Sequence, residues 1–290
     1  MKHNNTISQA MQQGKQYLKE NGIDTYALDS QLLLQYATGL KRVQLFTHDS
    51  QVLTDAEQAL WEDSLHQRAM GKPLQYITGH CEFMGLDFLV DSSTLIPRGD
   101  TEVLVEAVLE YQKKENLHTI LDMGTGSGCI PISLVHYANM KAYGVDISAE
   151  ALAVAQKNAQ RNCANVTWIQ SDLFSNVPTH LHGTLDALLS NPPYIPTKDI
   201  EGLMREVKHY EPYTALDGGE DGLDFYRKII RDGSVFLRNK GWIFFEIGYH
   251  QGKDVSDLLQ QAGFIDIEVR KDLAGLDRVV LARKYMNEVE

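Results

Sequence analysis

Thr119-Ile120-Leu121-Asp122-Met123-Gly124-Thr125-Gly126-Ser127-Gly128 reads as a short strand, Thr119–Asp122, running straight into a glycine loop. The loop opens a helix from Ile130 to His136. Downstream the pattern keeps alternating. Ala142–Asp146 reads as a second strand, and Ser148 caps a helix through Leu152, Ala155 and Ala159. Val166–Ile169 is a third strand, ending at Asp172, and Leu185–Leu189 a fourth. A helix near 222–238 precedes a fifth strand, Trp242–Glu246, and another helix spans about 251–261. Strands alternating with helices predict an α/β fold around a parallel sheet. Two final strands, Phe264–Arg270 and Arg278–Ala282, lack an intervening helix and predict an antiparallel edge.

In such a sheet, ligands bind beyond the carboxyl ends of the strands. The glycines let backbone approach a ligand closely, and a helix N-terminus offers free N–H groups. Asp146 ends the next strand, where an acid takes ribose hydroxyls, and Asp172 is placed to accept from an adenine amino group. The spacing is GxGxG, with Cys129 where the third glycine of a dinucleotide loop would fall. That argues for an adenosine ligand other than NAD. Beyond the fourth strand comes Asn191-Pro192-Pro193-Tyr194. Two prolines stiffen this turn and remove two N–H donors. The Asn191 side-chain oxygen and the Asn191 and Pro192 carbonyls are then free to converge on one planar NH2 group. Tyr194 offers a flat face to hold that group. Hydride transfer has no use for such a clamp.

The first 75 residues read as helical and carry no glycine loop and no acid/base pair. Ile7, Ala10, Met11, Gly14, Tyr17 and Leu18 recur at helical spacing up to Asn21-Gly22, and a second helix runs from about Asp24 to Thr38-Gly39. Thr54–Glu57 is a capping box opening a third, which reaches Gly71. Pro73–Ile96 then predicts a strand–turn–strand hairpin around Gly85. Next, Leu95–Glu102 (LIPRGDTE) enters a helix that Asp100 or Thr101 is placed to cap, with Arg98 ready for an acidic ligand or a neighbouring acid.

The 290 residues carry 27 basic and 39 acidic side chains, a net charge of −12. Residues 1–75 hold seven basic and eight acidic residues, against 20 and 31 in 76–290, so the acidity belongs to the part with the clamp. This disfavours a nucleic-acid footprint, which needs Lys and Arg against phosphates. It weighs against an enzyme that acts on the planar adenine NH2 of DNA or RNA, which such a clamp would also grip. The three cysteines are far apart, no CxxC occurs and no Cys/His cluster has zinc spacing, so no metal is expected. The polar N-terminal stretch (MKHNNTISQAMQQ) lacks a signal-peptide core and no apolar run is long enough for a membrane span, so a cytoplasmic, reducing setting is expected, and a monomer.

Asp122–Gly128 resembles motif I of class I S-adenosylmethionine methyltransferases. Asn191–Tyr194 resembles the (Asn/Asp/Ser)-Pro-Pro-(Tyr/Phe/Trp) motif of those that act on planar amino or amide nitrogen. LIPRGDTE is similar to the motif that precedes the catalytic domain of peptide-chain release factor glutamine methyltransferases (PrmC/HemK), with Gly99 where that motif usually has proline. Glu211–Leu216 and Gly218–Leu223 look like that family's segment after the clamp. The resemblance spans essentially the whole chain. It implies a Rossmann-like, mostly parallel sheet with an antiparallel edge, an N-terminal helical recognition domain (1–75), a β-hairpin linker (76–96) and a methyltransferase domain (97–290). It implies S-adenosyl-L-methionine as cofactor, S-adenosyl-L-homocysteine as product, and class I release factors as partners, methylated on the glutamine of a Gly-Gly-Gln loop. A ribosomal protein is the alternative glutamine substrate. By the same match Gly124, Thr125, Gly126, Ser127, Gly128, Asp146, Asp172, Leu173 and Asn191 would contact cofactor. Asn191, Pro192, Pro193 and Tyr194 would hold substrate, with Asn191, Pro192 and Tyr194 serving catalysis. Family members often have Trp at Leu173, which packs but does not stack.

Overall fold

The computed structural model describes residues 4–285; the start of the polar N-terminal stretch and the end of the segment 97–290 lie outside them. Two compact units emerge. One comprises the residues up to Gly79 together with Met204–Tyr210; the other comprises His80–Leu203 and the chain from Glu211 onward.

The first unit is built on α1 (Ile7–Glu20), α2 (Tyr26–Thr38), α3 (Arg42–Thr47), α4 (Asp55–Ala69) and α5 (Leu74–Thr78). Ile7, Ala10, Gly14 and Leu18 form the buried stripe of α1. Gly14 lets α1 pack close: a Cβ there would lie 2.5 Å from Ser30 Oγ. The capping box at α4 is formed, Glu57 N–H donating to Thr54 Oγ1 and Thr54 N–H to Glu57 Oε2 (3.3 and 2.7 Å). Arg68, buried in α4, pairs with buried Asp29 at 2.7 Å. Two short helices differ from the sequence reading. The sequence pattern marks no helix at Arg42–Thr47 and reads Leu74–Thr78 as an extended lead-in to the hairpin, yet both segments are helical. A five- or six-residue helix is stabilised by its neighbours rather than by its own propensity, so it leaves little periodicity to read.

The second unit opens with the hairpin β1 (His80–Phe83) and β2 (Leu86–Leu89). Its two turn residues, Met84 and Gly85, both have positive φ (52° and 71°), as a type I′ turn requires. Then follow α6 (Glu102–Glu115), β3 (Thr119–Met123), α7 (Cys129–Ala138), β4 (Lys141–Asp146), α8 (Ala149–Arg161), β5 (Val166–Gln170) and β6 (Leu185–Ser190). The short α9 (Arg205–Tyr210) belongs to the first unit, where Glu206 pairs with Arg68 at 2.9 Å and Tyr210 Oη donates to the Met70 carbonyl at 3.3 Å. The chain closes with α10 (Asp224–Gly233), β7 (Leu237–Glu246), α11 (Gly252–Gln261), β8 (Phe264–Lys271) and β9 (Asp277–Lys284).

The seven strands order as β5-β4-β3-β6-β7-β9-β8. The five from β5 to β7 run parallel, and β9 pairs antiparallel with both β7 and β8. This is the predicted α/β sheet with its antiparallel edge. The central strands are buried on both faces, which is why Ile120-Leu121, Ala187–Leu189 and Ile243–Phe245 read as unbroken apolar runs. The chain winds outward through β3, β4 and β5, then returns to place β6 on the other side of β3. That reversal opens a crevice beyond the carboxyl ends of β3 and β6. Among the described residues no helix is long and apolar enough to cross a membrane.

Candidate active site

A cavity of ≈ 310 Å³ lies in the second unit, at the carboxyl ends of β3, β4 and β6. One side is the glycine loop. Gly124 and Thr125 both donate N–H to the Val145 carbonyl at 2.9 Å, which folds the loop back over β4. Gly124 and Gly126 have φ of 74° and 53°, and a Cβ on either would meet nothing within 4 Å. Their faces are open space on the cavity wall. Gly128 does something else. It does not line the cavity, and a Cβ there would lie 2.9 Å from Trp168 and 3.1 Å from Ala155. Its missing side chain lets the start of α7 pack close against β5 and α8. Buried Asn158 of α8 secures the loop from below, donating to the Ser127 carbonyl at 2.9 Å while bonding both the N–H and C=O of Leu89.

Asp146 is held by two backbone donors: Gly126 N–H on Oδ2 (2.8 Å) and Ser148 N–H on Oδ1 (2.9 Å). Thr125, Ser127, Asp172 and Leu173 complete this side, Leu173 with an unusual positive φ of 47°. Asp122 lies fully buried at the base of the loop. Burial pushes its carboxyl up to about 7, against the nearby Thr125 hydroxyl and with the charge of Asp146 adding to the rise.

Asn191, Pro192 and Pro193 line the opposite side, but Tyr194 does not. The Tyr194 ring turns into the protein among the residues packed on the second face of the sheet, where burial pushes its hydroxyl up to about 12. It backs the turn rather than facing the cavity. The Asn191 amide is anchored: Nδ2 donates to Thr101 Oγ1 at 3.3 Å. Thr101 therefore does not cap α6 with its hydroxyl, as the sequence suggested. Behind both sits Glu246, at the end of β7 and 1% exposed, with Oε2 unpartnered. Burial pushes its carboxyl up to about 7 against the Thr101 hydroxyl, Arg278 and the Asn191 amide. Arg98, on the wall, has found a neighbouring acid, donating to Glu211.

The backbone after the clamp is stitched to Leu216–Gly219: Ile195 N–H donates to Leu216 O (3.1 Å), and Gly218 N–H to Ile195 O (2.9 Å). Only glycine fits this approach at 218, where a Cβ would lie 2.8 Å from the Pro193 carbonyl and from Tyr194 Cα. No histidine lines the cavity, and among the described residues no three His, Cys, Asp or Glu side chains gather as a metal group. Sequence reasoning missed the part of Thr101 and all of Glu246 and Asn158. For Glu246 a signal existed, an acid closing the apolar run Ile243–Phe245 at the ligand-binding end of a strand.

Known proteins resemble this chain in sequence and in fold. Residues 9–79 match the family model of the PrmC N-terminal domain, and residues 98–207 that of the methyltransferase small domain. A "Release factor glutamine methyltransferase" of Geobacter sulfurreducens is 42% identical over 279 residues, covering 96% of each chain. One of Clostridium acetobutylicum is 42% identical over 278 residues, covering 95% of this chain and 98% of the other. Among solved structures, the hMettl16 catalytic domain in complex with MAT2A 3'UTR hairpin 6 aligns with a TM-score of 0.56 at 17% identity, over 79% of this chain and 84% of that one, a likeness of fold alone. The chain is a methyltransferase and belongs to the release factor glutamine methyltransferase family.

Proposed function

We propose that the protein transfers a methyl group from S-adenosyl-L-methionine to the side-chain amide nitrogen, N5, of the glutamine in the Gly-Gly-Gln motif of class I peptide chain release factors, and so modulates translation termination. The observation that carries this reading is that one cavity has the open faces of Gly124 and Gly126 on one side and the anchored Asn191 amide on the other. The 42% identity to a protein named for release factor glutamine methylation supports the choice of substrate.

The residues fit this cofactor. Positive φ and open space at Gly124 and Gly126 leave room for its amino-acid end close to the backbone. Asp146, fixed by two N–H donors, keeps lone pairs for ribose hydroxyls. Asp172 and Leu173 line the side offered to adenine, Thr125 and Ser127 line the loop, and Gly128 lets the loop pack onto α7 behind it. When bound, the cofactor supplies an electrophilic methyl on a sulfonium and departs as S-adenosyl-L-homocysteine.

The chain's own residues then need only orient the nucleophile. An amide nitrogen is weak because its lone pair is delocalised, and removing its proton first is too costly near neutral pH. Asn191 Oδ1 and the Pro192 carbonyl accept its two N–H bonds, align it and stabilise the positive charge that grows on it. Pro193 stiffens the turn and Tyr194 supports it from within. With the cofactor held there, the oriented nitrogen would accept its methyl group, and the N–H, acidic once alkylated, would give its proton to solvent. In this reading residues 1–75 recognise the release factor, 76–96 link, and 97–290 catalyse. The protein works as a cytoplasmic monomer, with no metal and no direct nucleic-acid or membrane contact.

The test incubates the enzyme with a labelled methyl donor and, separately, release factor, ribosomal protein and nucleic acid. Label should appear on the Gly-Gly-Gln glutamine, located by mass spectrometry. Label on a ribosomal protein or on adenine instead would overturn the reading.

A further inference from the structure

We propose that Thr101 and Glu246 act as a pair of positioning residues that fix which end of the Asn191 carboxamide faces the substrate. This deepens the reading of the substrate given above and rests on it.

A carboxamide has two ends of nearly equal shape and opposite hydrogen-bonding character. Turned one way, Asn191 offers an acceptor to the glutamine NH2; turned the other, it offers a donor that the NH2 cannot satisfy. The structure holds the first state, with Nδ2 on Thr101 Oγ1 at 3.3 Å. A threonine hydroxyl alone cannot enforce it, because a hydroxyl both donates and accepts. Its direction is set by what takes its own proton. The Glu246 carboxyl stands beside both Thr101 and Asn191, buried, and its Oε2 has no hydrogen-bond partner of its own. An ionised carboxylate only accepts. On this proposal it accepts the Thr101 O–H as a hydrogen bond, which leaves Thr101 Oγ1 only the acceptor role toward Asn191 and turns Oδ1 to the cavity.

Glu246 is itself fixed. It ends β7, pairs with Val279 of β9, and its carbonyl accepts from Tyr226 Oη at 2.9 Å. The charged and titratable groups around it are Arg278 from β9, Asp100 beside Thr101, Tyr194 behind the clamp, Tyr226 from α10 and Cys129 at the start of α7. Arg278 bridges Asp100 at 3.1 Å and Asp272 at 3.0 Å, so its positive charge is locked in place to favour the ionised carboxylate. Protonation of Glu246 makes it a donor and removes the direction from the chain of bonds.

The test compares wild type with Glu246→Gln, Thr101→Val and Thr101→Ser on the release factor. S-adenosyl-L-homocysteine affinity is measured by calorimetry. Glu246→Gln and Thr101→Val should each lower kcat by about 10- to 100-fold with the calorimetric affinity kept, as misorientation without loss of binding predicts. Thr101→Ser keeps the hydroxyl and should recover most of kcat. Wild-type kcat should rise with pH across neutrality, and the Gln variant should lack that rise. Unchanged kcat in both impaired variants overturns the proposal, and so does a parallel loss of kcat and cofactor affinity. A serine variant as poor as the valine one also overturns it. If wild type labels no release factor, the substrate reading falls and the pair is judged by NMR. The Asn191 side-chain amide protons, assigned by their absence in Asn191→Ala, should be protected from exchange in wild type and lose protection in Thr101→Val. Equal exchange in the two overturns the pairing.

Discussion

The two sides of the cavity are built in opposite ways. The glycine side is mostly backbone: loop N–H groups on Val145 O, Gly126 N–H on Asp146, and two left-handed glycines leaving open space. The clamp side is a chain of side chains, Asn191 to Thr101 with Glu246 behind, drawn from three distant parts of the sequence. Each side rests on one buried acid at a strand end, Asp122 under the loop and Glu246 under the clamp, and both carboxyls are pushed up to about 7. A backbone-built wall suits a ligand that must be bound the same way each time. A side-chain wall suits orienting one reacting atom. If the division is real, damage on one side should reach affinity and damage on the other should reach turnover.

The harshest way to break this contrast is Asn191→Ala. Losing one preorganised acceptor at the reacting nitrogen should lower kcat by roughly 10²–10³-fold. Affinity for S-adenosyl-L-homocysteine should stay near wild type. Calorimetry beside steady-state kinetics checks it, and a matching fall in affinity would merge the two sides into one.

The buried acids give the next largest effect. Each has a folded pKa above its unfolded value, about 7 against 3.8 for Asp122 and 4.5 for Glu246. Between those limits the folded state holds protons that the unfolded state has released. Stability is then fully present below about pH 4 and is lost as pH rises through 7, by at most about 1.4 kcal/mol per pH unit for each group. Carboxylates held low, such as Glu110 beside Arg270 and Lys114 at about 2, act only at lower pH. Urea unfolding from pH 5 to 7 should show this fall, and Asp122→Asn should remove about half of the slope. A slope untouched by that change would mean that Asp122 is charged throughout.

What the sequence revealed follows the same division. The sheet was legible because strands buried on both faces leave apolar runs, as in Leu185–Leu189. The glycine loop was legible because its parts are contiguous. Asn191 was legible from its prolines, but its partner Thr101 lies 90 positions away and looked like a helix cap. Arg98 and Glu211 pair across 113 positions, and nothing local to either residue encodes the other. Gly128 and Tyr194 belong to contiguous motifs yet point away from the cavity, into the helix packing and into the core. A motif gives neighbourhood along the chain; it does not give the direction of each side chain.

On the glycine side, Gly126→Val sharpens the contrast from the other direction. Residue 126 has a φ of 53°, and its missing side chain faces the cavity. A β-branched residue there costs about 1–2 kcal/mol in backbone strain and also fills ligand space, so cofactor affinity should weaken by at least about tenfold. Turnover at saturating cofactor should change far less. A large fall in kcat at saturation would show that the loop also orients the reacting atoms.

The smallest expected effect falls at Gly99, on the turn that carries Thr101. Nothing lies within 4 Å of a Cβ there, and Arg98 before it has φ −105° and ψ 144°, the extended geometry that a following proline demands. Gly99 begins the 3-10 turn Gly99–Thr101, whose φ a proline already has. Gly99→Pro should therefore stabilise the fold by about 0.4–1 kcal/mol through the unfolded chain. That corresponds to a rise in Tm of about 1–4 °C. Because the turn also sets Thr101 Oγ1 against Asn191, stiffening it should leave kcat unchanged or slightly raised. A variant that melts higher but turns over more slowly would show that the clamp side depends on movement of this turn, which a backbone-built wall like the glycine loop does not need.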